Sequence, residues 1–133
     1  MNTLKVLDSW ALLAYFEGQE EGRRVADLLK EATKQPRRLL LCVINWGEIL
    51  YVIESRYGSD RKEQIERLME QMHLDVVDAN KTLVRCAAHL KASAKLPYAD
   101  CFAAALAMTQ KATLVTGDKD FRVLEKKIRI EWL

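Results

Sequence analysis

Six consecutive apolar residues, Leu39-Leu40-Leu41-Cys42-Val43-Ile44, constrain this chain more than any other feature. A strand with one solvated face alternates apolar and polar residues, whereas an unbroken run of strand length is buried on both faces, as in parallel sheets covered by helices. Other short apolar runs fall at residues 4–7, 74–78 and 112–116, and residues 128–132 alternate with charges in a way that suits an edge strand. Between them the apolar positions recur at helical spacing over residues 10–16, 20–34, 46–57, 61–72, 81–95 and 98–110. Pro36, Gly58 and Pro97 punctuate these stretches where helices should stop or start. Parallel neighbours need crossovers of helix length, so the pattern predicts an α/β fold: a three-layer α/β/α sandwich around a mostly parallel sheet of about five strands. Residues 1–133 are expected to form a single domain, with half of them apolar and only 5 Gly and 2 Pro.

Charge excludes some classes of partner. The chain carries 21 Lys and Arg against 19 Asp and Glu, a net charge of +2, so no global field draws it to nucleic acid or an anionic membrane. Affinity for phosphates must be local. Cys42, Cys86 and Cys101 are odd in number and too widely spaced for a zinc site, and read as reduced, mostly buried thiols. The densest apolar stretch, residues 99–108, is broken by Asp100, and no leader pattern opens the chain, so a cytoplasmic protein with no membrane partner is expected.

In parallel α/β sheets the chemistry lies at the carboxyl ends of the strands. Asp8 closes the first predicted strand, and Asp118 and Asp120 follow the fourth in a glycine-containing loop. Glu48 and Asp100 are set among apolar neighbours near helix starts, in Asn45-Trp46-Gly47-Glu48-Ile49 and Tyr98-Ala99-Asp100-Cys101-Phe102. Asp8 and Asp100 could serve as helix caps or first-turn acids, each contributing roughly 0.5 to 1 kcal/mol. Glu48, flanked by Ile44, Ile49, Leu50 and Val52, is harder to explain that way. Five carboxylates brought to one sheet edge repel one another unless a hard cation sits among them, which points to Mg²⁺ or Mn²⁺ and to hydrolytic phosphoryl transfer. His73 and His89 lie far in sequence from the acids and read as surface or structural residues.

Four segments resemble, in order and spacing, the PIN domain, the nuclease fold of VapC-type toxins from toxin–antitoxin pairs. Residues 6–14 (VLDSWALLA) resemble its opening strand, acid and small-residue helix; Asn45-Trp46-Gly47-Glu48 resembles its N-x-x-E element. Residues 98–107 (YADCFAAALA) resemble its third acid in an alanine-rich helix, and residues 114–121 (LVTGDKDF) its final acidic loop. The resemblance implies a Mg²⁺- or Mn²⁺-dependent endoribonuclease with Asp8, Glu48, Asp100 and an acid of the final loop as ligands. Asp118 and Asp120 both suit that fourth position, and Asp118 is favoured. Ser9 and Thr116 would orient ligands through their hydroxyls, and Asn45 would hold the loop before the Glu48 helix or cap that helix. Trp46 departs from the small or β-branched residue expected between Asn and Glu; Trp46 and Trp10 either pack beneath the site or face substrate.

The resemblance further implies an RNA substrate, a cognate antitoxin and a homodimer. Lys119 and Arg122 flank the acidic loop and are the best placed cations to meet substrate phosphates; Arg23-Arg24, Arg37-Arg38, Arg61-Lys62 and Lys126-Lys127 read as solvated surface. Tyr51, Leu68, Met69 and Met72 are candidates for a dimer interface, with core as the simpler reading of each. A receiver-type signalling domain also gathers acids around Mg²⁺, but would leave Glu48 and Asp100 without a role. A catalytically silent PIN domain acting as an RNA- or protein-binding module is the alternative, separated from a nuclease by metal-dependent cleavage.

Overall fold

The computed structural model describes residues 4–35 and 39–133, so Pro36 and the Arg37-Arg38 pair lie outside the described residues. Five strands form one sheet in the order β3-β2-β1-β4-β5, and every pairing is parallel. They are β1 (Lys5–Leu7), β2 (Leu39–Cys42), β3 (Asp75–Val77), β4 (Thr113–Thr116) and β5 (Ile130–Trp132). The helices are α1 (Ser9–Phe16), α2 (Gly22–Ala32), α3 (Val43–Tyr57), α4 (Ser59–Gln71), α5 (Lys81–Ser93) and α6 (Tyr98–Gln110), with a short 3₁₀ turn at Lys119–Leu124.

The three central strands are buried because both faces are covered. Val6, Leu40, Cys42 and Leu114 face α5 and α6, together with Phe121 and Leu124. Leu7, Leu39, Leu41 and Val115 face the opposite layer, where Ala11 and Leu12 of α1, Val25 and Leu28 of α2, Ile49 and Ile53 of α3, and Ile65 and Met69 of α4 close the core. Each fully buried aliphatic side chain contributes about 1.5–3 kcal/mol. The expected three layers and five strands are therefore present. Alanines at 103, 104, 105 and 107 bury much of α6 and let its backbone lie close to the sheet. At the joint between α3 and α4, Gly58 takes φ +92°, a conformation that disfavours any side chain.

Two sequence expectations need correction. The strand anticipated over residues 39–44 stops at Cys42, and α3 begins at Val43 rather than at Trp46. No turn residue separates the two elements, so an unbroken apolar run conceals the change from extended to helical backbone. Of the residues read first as core, Met69 is buried and Met72 half-buried, whereas Tyr51 is 63% exposed and Leu68 44% exposed. Helical spacing alone could not assign these side chains to the inner side of the α3–α4 pair.

Candidate metal centre

Strand order places the site. β1 lies between β2 and β4, so the chain leaves β1 in one direction and returns on its other side, the switch point at which parallel sheets open a crevice. Leu7 is level with Leu41 and Val115, and the next row of the sheet holds Asp8, Cys42 and Thr116. Asp8 is buried there as the N-cap of α1, its Oδ1 accepting from the Ala11 N–H at 2.8 Å and its Oδ2 from the Thr116 hydroxyl at 2.5 Å. The Thr116 oxygen also accepts from the Asp118 N–H at 2.9 Å, and Asp118 Oδ1 accepts from the Asp120 N–H at 3.0 Å. A single chain of hydrogen bonds thus runs from Asp8 through Thr116 to both acids of the final loop. The capping role considered for Asp8 is real, and it leaves carboxylate lone pairs available for a cation.

Glu48 and Asp100 arrive from helices. Glu48 is half-buried on α3, where Ser9 of α1 donates to its Oε1 at 2.6 Å. The apolar surroundings expected for it are only partly present: Asn45, Ile49 and Ile53 form the buried side of α3, while Ile44 is exposed. Asp100 is buried in the first turn of α6, near the positive end of that helix. Asn45 neither caps α3 nor supports a preceding loop, because it lies in the first turn of the helix and is fully buried. Its Nδ2 donates to the Ala99 carbonyl at 3.0 Å, joining α3 to α6 one residue before Asp100, while its Oδ1 has no partner.

Oxygens of Asp100, Asp118 and Asp120 all lie within 4.8 Å of one another. Asp120, set below Asp118 on sequence grounds, therefore stands with Asp118 in this group. Burial pushes Asp8 up to about 7 from the ordinary carboxylate value near 3.8, with the charges of Asp100 and Asp118 adding to the effect and the Thr116 and Ala11 hydrogen bonds opposing it. Burial likewise raises Asp100 to about 7, reinforced by Asp118, Glu48 and Asp120. Asp8 thus senses Asp100 and Asp118, and Asp100 senses Asp118, Glu48 and Asp120. Ligand oxygens around a small hard cation stand up to about 4 Å apart, so a modest inward turn of these side chains would close them on Mg²⁺ or Mn²⁺. The donor set is all oxygen and fits such an ion.

Lys119 and Arg122 are exposed on the 3₁₀ turn that follows Asp118. Trp46 is partly buried against the α1–α4 core layer. Trp10 packs its six-membered ring over Gly117, the residue before Asp118, leaving no space there for a Cβ. That contact escaped sequence reading; its only trace was a glycine between Thr116 and Asp118. His73 and His89 are exposed, Cys42 and Cys101 are buried, Cys86 is half-buried, and all three cysteines are free thiols.

A family model described as the PIN domain matches residues 5–127. No curated protein matches the chain in sequence. Among solved structures, a VapBC complex from Rickettsia felis bound to a DNA fragment from its promoter superposes with a TM-score of 0.73 at 16% identity, covering 98% of each chain. DNA-bound VapBC from Salmonella typhimurium gives 0.72 at 18% identity over 97% of each chain. A VapC toxin from Mycobacterium tuberculosis, described as cleaving the sarcin–ricin loop, gives 0.71 at 13% identity over 90% of this chain and 93% of that one. At these identities the likeness concerns the fold.

Proposed function

Because the chain belongs to the PIN-domain family, we propose that it is a Mg²⁺- or Mn²⁺-dependent endoribonuclease, the toxin of a type II toxin–antitoxin module. The observation that carries this reading is the convergence of Asp100, Asp118 and Asp120 within 4.8 Å, beside Asp8 and Glu48, at the carboxyl ends of the central strands. Without a cation such a cluster repels a phosphodiester. A bound divalent ion supplies the opposite sign, a docking point for phosphate oxygens and acidification of water.

Asp8, Glu48, Asp100 and Asp118 are the residues proposed to hold the cation, with Asp120 completing the acidic wall. Each is held by a neighbour: Thr116 fixes Asp8 and the Asp118 backbone, Ser9 fixes Glu48, and Asn45 ties the start of α6 to α3. These contacts hold the carboxylates in position before substrate arrives, so little reorganisation is needed on binding. Lys119 and Arg122, exposed beside the loop, would contact substrate phosphates next to the metal.

Residues 1–133 are proposed to form one nuclease unit acting on RNA in the cytoplasm. Among the described residues, no helix is long and apolar enough to cross a membrane. An antitoxin partner is supported by neighbours that are themselves toxin–antitoxin complexes. A homodimer is part of the proposal, and the exposed Tyr51 and Leu68 are better interface candidates than the buried Met69.

The test is cleavage of total cellular RNA by the purified protein in Mg²⁺, Mn²⁺ or EDTA, beside a folded Asp8→Asn/Asp100→Asn variant. Metal-dependent cutting, absent from the variant, is the expected result. A folded protein that binds Mn²⁺ and cuts no RNA would overturn it and leave a silent RNA- or protein-binding module.

A further inference from the structure

The segment that leaves the acidic cluster does not lose its positive charge as it moves away. Residues 119–129 carry Lys119, Arg122, Lys126, Lys127 and Arg129 against Asp120 and Glu125, and all five cations are exposed. The segment ends at a shallow cavity of about 340 Å³, where Lys126, Lys127 and Arg129 meet Lys111 over a floor that includes Met108 and Ile128. Among the described residues Glu125 is the only acid lining it, so this one cavity holds an excess of three positive charges in a chain whose net charge is +2. None of these cations is ion-paired among the described residues.

The cavity lies at the opposite end of the sheet from the acids. α6 begins at the cluster and ends beside the cavity, and the 11 residues from Asp100 to Lys111 span roughly 16 Å at the helical rise. That is about three phosphate-to-phosphate steps of extended single strand, more than the two linkages of a trinucleotide can span. Lys111 occupies the left-handed position at the end of α6, with φ +53°, the one positive-φ residue other than glycine among those described. Glycine or asparagine is usual at such a position. A cation at a helix C-terminus offsets the helix dipole, which accounts for charge at Lys111 but not for Lys126, Lys127 and Arg129 around the same cavity.

We propose that the exposed edge from Lys119 to Arg129, ending at the Lys111 cavity, is a phosphate track that holds the RNA chain beyond the cleavage point. The ligand class is a single-stranded polyribonucleotide, gripped through its phosphates and without base readout. RNA is favoured over a small free anion because the track is continuous with the acidic cluster, an assignment that rests on the nuclease reading.

The experiment compares wild type with the quadruple variant Lys111→Gln/Lys126→Gln/Lys127→Gln/Arg129→Gln, all exposed positions, after melting curves show that both fold. Binding of fluorescein-labelled RNA of twelve and of three nucleotides is followed by anisotropy in EDTA across a salt titration. For the twelve-nucleotide RNA the variant should bind at least about tenfold more weakly, with a salt slope lower by about 3, since each lost phosphate contact on a single strand removes about 0.7. The three-nucleotide RNA, too short to bridge cluster and cavity, should lose much less. Equal affinity and slope for wild type and variant on the longer RNA would overturn the track, as would equal losses on both lengths, which mark a general change in charge. Inorganic phosphate that competes at low millimolar concentration with the longer RNA would also overturn it, by making the cavity a small-anion site. Failure of the nuclease reading would show separately, as absence of Mn²⁺-dependent cutting by wild type.

Discussion

At Gly117 the backbone has no room for a side chain, since a Cβ there would lie only 2.2–2.8 Å from three carbons of the six-membered ring of Trp10. Two residues that follow different strands are thereby locked together, one two residues after the N-cap Asp8 and the other directly before Asp118. Gly117→Ala should cost about 1–3 kcal/mol, the usual penalty for forcing an added methyl into filled space, and should weaken Mn²⁺ binding because the loop carrying Asp118 and Asp120 must move. Adding Trp10→Leu should restore much of the stability. Thermal melts and Mn²⁺ calorimetry on the single and double variants check this; an unchanged melting temperature in Gly117→Ala would mean that the ring yields freely.

Between elements, the decisive contact is Asn45 on α3 reaching the Ala99 carbonyl at the start of α6. The amide orientation follows from the partner, because turning it over would set Oδ1 against a carbonyl oxygen. The orientation that satisfies Ala99 leaves Oδ1 buried and unpaired, a cost of about 1–3 kcal/mol retained at the joint between the Glu48 and Asp100 helices. Asn45→Ala should therefore change stability by no more than about 1–2 kcal/mol while lowering Mn²⁺ affinity, whereas Asn45→Asp, a buried unpaired carboxylate, should cost several kcal/mol. Denaturant unfolding with Mn²⁺ titration separates these effects, and unchanged Mn²⁺ affinity in Asn45→Ala would show that α6 holds Asp100 unaided. On α4 the contrast is burial: Met69→Lys should unfold or strongly destabilise the chain, and Leu68→Lys should leave the fold of the single chain intact. Equal melting temperatures for these two would contradict the placement of α4.

For the molecule as a whole, two sets of acids oppose each other. Asp8 and Asp100 titrate near 7 when folded and near 3.8 otherwise, so between those values the folded chain holds more protons than the unfolded one. Stability without metal should fall as pH rises from about 4 to 7 and stay low above that. Glu131, held between Lys5 and Arg24, and Glu17, held by Tyr57 and Arg56, are shifted downward, and their contribution should vanish as pH drops through the acidic range. The metal-free protein should thus be most stable near pH 4, on the order of three units below neutrality. Mg²⁺ should raise the melting temperature more at pH 8 than at pH 5, because it binds the ionised cluster. Melting temperatures without metal that stay flat from pH 5 to 8, with an equal Mg²⁺ effect at both ends, would contradict the coupling among these carboxylates.

Alternation of strand and helix patterns, the doubly buried run at Leu39–Cys42 and the positions of Asp8, Glu48, Asp100, Asp118 and Asp120 were all legible in the chain itself. Hydrophobic period and the rule that parallel sheets work at their carboxyl ends are local or topological properties, so they survive without coordinates. Where β2 hands over to α3 was not legible, because no turn residue marks a direct join. Nor were the burial of Asn45, the exposure of Tyr51 and Leu68, the Trp10–Gly117 contact, or the gathering of Lys111 with Lys126, Lys127 and Arg129. Each of these depends on which side of an element meets a neighbour distant in sequence. Only packing in three dimensions decides that, since the same helical spacing is compatible with either face turned inward.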